Sequence, residues 1–82
     1  NLVGNQEVVR TELSALNQYL VENPADAETH FLLGTIYLNI GQNENATTHF
    51  QQAMDLNPDF VEQGKAIIDA IRAGHKVNFK TQ

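Results

Sequence analysis

The sequence predicts an all-α chain built of antiparallel helix–turn–helix units, a fragment of a helical solenoid. Three observations support this. Apolar residues return every three or four positions, which is the spacing of one helix face. Asn-Pro pairs and single glycines divide that pattern into four helices at about 5–22, 27–39, 44–56 and 59–73. The chain also repeats itself at an offset of 34 residues, Pro24 falling on Pro58, and a fixed period of two short helices marks a helical array.

The first helix carries Val9, Leu13, Leu16 and Leu20 on one face, with a weaker second stripe of Val8, Ala15 and Tyr19. Pro24 lies just past it, where a proline commonly follows a helix end. The second helix takes Asp26 as its N-cap and has Glu28 in its first turn, where the dipole favours an acid. Its apolar residues are Phe31, Leu32, Leu33, Ile36, Tyr37 and Leu38, and Gly41 supplies the positive φ that ends it. Asn43 is the expected cap of the third helix, which carries Ala46, Phe50, Ala53, Met54 and Leu56. Asn57-Pro58 repeats the punctuation of Asn23-Pro24 and opens the fourth helix, which Gly74 stops. Residues 75–82 show no period and are expected to form a flexible tail.

Beyond the prolines, the same offset places Leu16 on Phe50, Gln18 on Gln52, Leu20 on Met54, Asn23 on Asn57, Glu28 on Glu62, Leu33 on Ile67 and Tyr37 on Ile71. Within one period, Leu33, Gly34, Tyr37, Ala46, Phe50, Ala53 and Pro58 stand at signature offsets, with Gly41 at the turn between helices. On those residues, positions 27–60 resemble a tetratricopeptide repeat, a helix–turn–helix unit. His30 departs from the pattern by standing where an aromatic residue is usual, with Phe31 next to it.

The resemblance implies one domain over residues 1–82. Residues 1–24 would be the second helix of a degenerate preceding repeat, 25–58 a complete repeat, 59–74 a capping helix and 75–82 the tail. It also accounts for Gly34, which costs roughly 1 kcal/mol of helix propensity at the centre of "HFLLGTIYL". In such a repeat the two helices cross closely, and the resemblance places Gly34 opposite Ala46 and near Ala53 at the crossing. The implied function is a non-catalytic scaffold that holds a peptide or partner protein on a concave surface. Carried onto this chain, that surface comprises Glu28, Phe31, Thr35, Leu38 and Asn39, with Lys65, Asp69 and Arg72 at its edge. Some family members clamp a terminal carboxylate with basic residues and Asn. Phe31 and Thr35 occupy the matching places here, so an apolar or mixed groove around Phe31 and Leu38 is expected instead.

The fourth helix supports the capping role. Glu62, Lys65, Asp69, Arg72 and Lys76 form a charged stripe of i,i+3 and i,i+4 neighbours, and Ile68 stands where another close crossing would want glycine. At the other end the second stripe of the first helix lacks an obvious cover. Leu2 and Val3 folding back, an absent segment or a second copy would supply one. The alternative function is therefore an oligomerisation or spacer domain that self-associates as a homodimer through Val8, Ala15 and Tyr19.

Composition narrows the partners. Ten acids against five bases give a net charge of −5, the wrong sign for nucleic acid or an anionic membrane surface. No apolar run approaches the roughly 20 residues of a membrane span. There is no cysteine, and His30, His49 and His75 match no metal-ligand spacing, so neither a metal nor a cofactor is expected. Ser14 stands alone without a neighbouring base, and no phosphate-cradling or nucleophile motif is present, which argues against an enzyme. The chain opens on Asn1 rather than Met, as an excised domain or processed product would, and its composition fits cytoplasm and periplasm equally.

Overall fold

Helix ends leave amides and carbonyls unpaired, and local groups satisfy several of them here. A computed structural model describes residues 2–74, with side chains from Glu7 onward. It contains α1 (Leu2–Glu22), α2 (Ala27–Asn39), α3 (Asn43–Leu56), a 3-10 turn (Pro58–Phe60) and α4 (Val61–Arg72), and the described residues include no strand. The expected tail at 75–82, with His75 and Lys76, and the side chains of Leu2 and Val3 lie outside the described residues.

α1 begins three residues before the expected start, because nothing in Leu2-Val3-Gly4 forbids helix and a single interior glycine is tolerated. Asp26 caps α2 as expected, its side chain accepting from the Thr29 amide at 3.2 Å. α2 ends in a Schellman motif. Gly41, at φ 85°, donates to the Leu38 carbonyl at 3.1 Å, and Gln42 donates to that of Tyr37 at 2.9 Å.

That motif displaces the expected cap of α3. Gln42 rather than Asn43 is the half-in residue, its carbonyl accepting from the Ala46 amide at 3.0 Å, and Asn43 becomes the first residue of the helix. The start of α4 also shifts, from 59 to Val61. Asn57 accepts from the Asp59 amide at 2.9 Å through its side chain and from the Phe60 amide at 3.0 Å through its carbonyl. With Pro58 lacking an N–H, these bonds wind the first turn as 3-10. Gly74, at φ 79°, stops α4 as expected.

The helices pack in chain order: α1 on α2, α2 on α3 and α3 on α4, with the α2–α3 hairpin the most extensive contact. Leu33, Ala46, Phe50 and Ala53 have no solvent exposure, and Ile67 and Ile68 join them from α4. Burying a leucine- or phenylalanine-sized side chain is worth roughly 1.5–3 kcal/mol, so Leu33 and Phe50 anchor the hairpin. α1 is held mainly at its C-terminal end, where Leu20 is buried while Val9, Leu13 and Leu16 are half-buried.

At Gly34, expected at a crossing with Ala46 and Ala53, the nearest contact is with a third residue of α3. A β-carbon there would meet the Phe50 ring first, at 2.7, 2.8 and 2.9 Å from Cε1, Cδ1 and Cζ. Gly34 thus makes room for an aromatic ring, and the two alanines are buried beside it as small core residues. α4 has a close approach of its own one turn before Ile68. Gly64 is buried, and a β-carbon on it would lie 2.6 Å from Met54 Sδ.

Candidate functional site

A shallow open groove runs along the first half of α2, lined by Glu28, Thr29, Phe31, Leu32, Thr35 and Phe60. Its floor is aromatic. Phe31 meets Phe50 edge-on, with centroids 5.0 Å apart at 68°, and stacks on Phe60 at 4.9 Å and 23°. Both geometries are favourable for aromatic pairs. Phe60 reaches this position because the Asn57-capped turn holds its backbone. Leu32 is 47% exposed, a large apolar side chain left open beside the rings. The Thr35 hydroxyl donates to the Leu32 carbonyl at 2.7 Å, so it is already bonded within the helix.

Of the residues expected on the concave surface, Glu28, Phe31 and Thr35 come together in this groove. Leu38 is half-buried and packs against the core around Phe50 and Ile68, and Asn39 is exposed at the end of α2. Lys65, Asp69 and Arg72 are exposed on α4 and do not line the groove. Phe60, from the turn, takes the edge expected of α4, and Thr29 and Leu32 complete the lining. Phe60 is absent from the expected surface, and the signal for it in the sequence is slight: an aromatic residue two positions after Pro58.

The second stripe of α1 is open. Val8 is 60% exposed and Tyr19 46%, Ala15 is exposed, and Val21, outside the expected stripe, reaches 74%. Tyr19 also has an internal role, its hydroxyl donating to Asp26 Oδ2 at 3.1 Å. The Thr29 amide, followed by that hydroxyl, holds the Asp26 carboxyl below its ordinary 3.8. The same bond to Asp26 raises the Tyr19 phenol above 10.0.

A second polar cluster joins the α2–α3 pair to the preceding turn. His30, 7% exposed, places Nδ1 3.1 Å from His49 Nδ1 and Nε2 3.0 Å from the Pro24 carbonyl. Tyr37 stacks on the His49 ring at 5.5 Å and 12°. Burial, and then the charge of His30, pulls the His49 pKa below its ordinary 6.5. Among the described residues, no group of three or more His, Asp or Glu side chains is placed to hold a metal ion, and no helix is long and apolar enough to cross a membrane.

Comparison with curated proteins and with solved structures gave no match. Residues 27–60 match the family model of the tetratricopeptide repeat, a span that runs from the first residue of α2 through α3 to Phe60. Over α2, α3 and the turn that follows them, the chain is therefore similar to a tetratricopeptide repeat.

Proposed function

We propose that this chain is a non-catalytic interaction module that holds a peptide segment of a partner protein over Phe31, Leu32 and Phe60. Its similarity to a tetratricopeptide repeat points to protein–protein contact. The observation that supports the reading is the construction of the groove. Its floor is Phe31 stacked on Phe60, with Phe31 held edge-on against the buried Phe50, and a large apolar side chain stands open beside it. A preformed aromatic floor loses little entropy on binding. The segment that fits offers an apolar anchor residue with a basic neighbour for Glu28, and the net charge of −5 steers basic segments toward the chain. The same charge argues against nucleic acid as a partner. In this reading α4 closes the repeat, and α1 is the remnant of a preceding one.

The test is a peptide selection followed by an NMR titration of the best basic, apolar-anchored binder. Shifts should cluster at residues 28–35 and 60. Leu32→Glu should weaken binding by about tenfold or more without lowering the melting temperature, because Leu32 is not part of the core. Shifts confined to α1 would overturn the assignment.

The open face of α1 supports a second reading, self-association as a homodimer. Val8 and Val21 are the most exposed large apolar residues described, at 60% and 74%. Sedimentation of the wild type against Val8→Glu decides it. A dimer that the substitution dissociates supports this reading, and a wild-type monomer removes it.

A further inference from the structure

We propose that His30 and His49 form a proton-operated latch, which holds the α1–α2 turn against the α2–α3 hairpin at neutral pH and lets it go in acid. The hydrogen positions follow by elimination. A carbonyl can only accept, so His30 Nε2 carries the hydrogen that it donates to Pro24. Neutral His30 then has a bare Nδ1, and the 3.1 Å contact requires His49 to donate its Nδ1–H to it. The chain of bonds runs from α3 through α2 into the turn that ends α1, and so links these three segments.

The first proton has a site that leaves this chain intact, because His49 Nε2 is bare. Once it is bound, His49 still donates through Nδ1. A second proton has only His30 Nδ1 to bind. It would set two N–H groups and two positive charges face to face at 3.1 Å, with His30 almost wholly buried. The pair must then separate, and the Pro24 contact goes with it. Among the described residues, the titratable side chains seen against the His49 ring are His30 and Tyr37, both from α2. From the turn, the Asp26 carboxylate is engaged by the Thr29 amide and the Tyr19 hydroxyl. Burial, and then the neighbouring His30, disfavours charge on His49, in the same sense as the contact geometry.

The test is a two-part NMR experiment. Near pH 7.5, nitrogen-resolved imidazole spectra should show His49 as the Nδ1–H tautomer and His30 as the Nε2–H tautomer. On acidification to about pH 5, above the carboxylate range, the two rings should titrate in two steps. The amides of Asn23 and of residues 25–27 should move with the second step, while those of Ile67 and Ile68 stay in place. His49→Asn puts a donor that cannot titrate near the Nδ1 position, and in that variant the turn amides should not move over the same range. Reversed tautomers, independent titration of both rings near 6.5, or equal movement of the turn in His49→Asn would overturn the latch. If that variant fails to fold, the wild-type tautomers and titration decide alone.

Discussion

Two buried glycines form a matched pair for testing how the hairpin packs. At Gly34 an added β-carbon would lie 2.7 Å from Phe50 Cε1, whereas packed carbons rest about 3.5–4.0 Å apart, so the ring would have to retreat by roughly 1 Å. Phe50 has no exposed surface, and its ring already meets Phe31 edge-on, so the displacement is passed on rather than absorbed. Overpacking of this kind costs about 1–3 kcal/mol. Replacing an interior glycine by alanine returns about 1 kcal/mol of helix propensity, leaving Gly34→Ala destabilised by roughly 0–2 kcal/mol. At Gly64 the clash is as short, 2.6 Å, but it is with Met54 Sδ on a half-buried side chain with several rotatable bonds. That thioether can turn aside, so Gly64→Ala should lie within about 0.5 kcal/mol of wild type or gain up to 1. Urea unfolding followed by far-UV circular dichroism should rank Gly34→Ala below Gly64→Ala, and Gly34→Leu should lose cooperative unfolding altogether. Phe50→Leu should cost less in the Gly34→Ala background than in wild type, with a coupling of about 0.5 kcal/mol or more. If Gly34→Ala matches or exceeds Gly64→Ala in stability, the ring-in-the-notch account is wrong.

Gly41→Ala tests the backbone alone: φ is 85° and a β-carbon would meet nothing within 4 Å, so about 1–2 kcal/mol should be lost in urea unfolding without any change in packing. The folded-state pKa of Asp26 lies below its ordinary 3.8, so its stabilising contribution is complete above that value and disappears as pH falls through the folded pKa. Asp26→Asn should accordingly flatten the acid limb of a melting-temperature profile. The same substitution should bring the Tyr19 phenol back toward 10.0 in an ultraviolet titration, since the carboxylate is what raises it. Phe60→Ala removes the ring stacked on Phe31 and should weaken groove binding while costing about 1–2 kcal/mol, less than a fully buried ring, by thermal unfolding.

The parts of the fold legible in sequence are those decided by local chemistry. Asp26 could be read as a cap because its side chain needs only the amide three residues on, and Gly41 and Gly74 as stops because few residues other than glycine accept positive φ. Local reasoning failed where two local devices competed. The Schellman motif after α2 claims Gln42 and takes the capping role from Asn43, and Pro58 with Asn57 tightens a turn that periodicity alone would extend into α4. Contacts across helices were the hardest to read. Small residues at Gly34, Ala46 and Ala53 signalled a close crossing, but not that a ring from α3 fills the notch at Gly34. Gly64 gave no signal, since the 34-residue offset aligns it with His30. In the groove, Glu28, Phe31 and Thr35 share one face of α2 and could be grouped by spacing. Phe60 could not, because its position depends on the 3-10 turn.

The glycine, the core ring and the groove form one connected device. Gly34 leaves the notch that Phe50 occupies, Phe50 meets Phe31 edge-on, and Phe31 in turn stacks on the half-buried Phe60. Moving Phe50 by roughly 1 Å in a close-packed interior therefore moves the groove floor as well, because contacts at van der Waals distance pass on a displacement of that size. A separate surface patch would keep its affinity in any variant that still folds. Here Gly34→Ala should weaken peptide binding under conditions where the protein remains folded, whereas Gly64→Ala, whose β-carbon meets Met54 rather than the ring stack, should not. The poor helix former at the centre of α2 thus shapes the groove from beneath, and on the proposed function an interior glycine serves the surface above it as well as the packing of the hairpin.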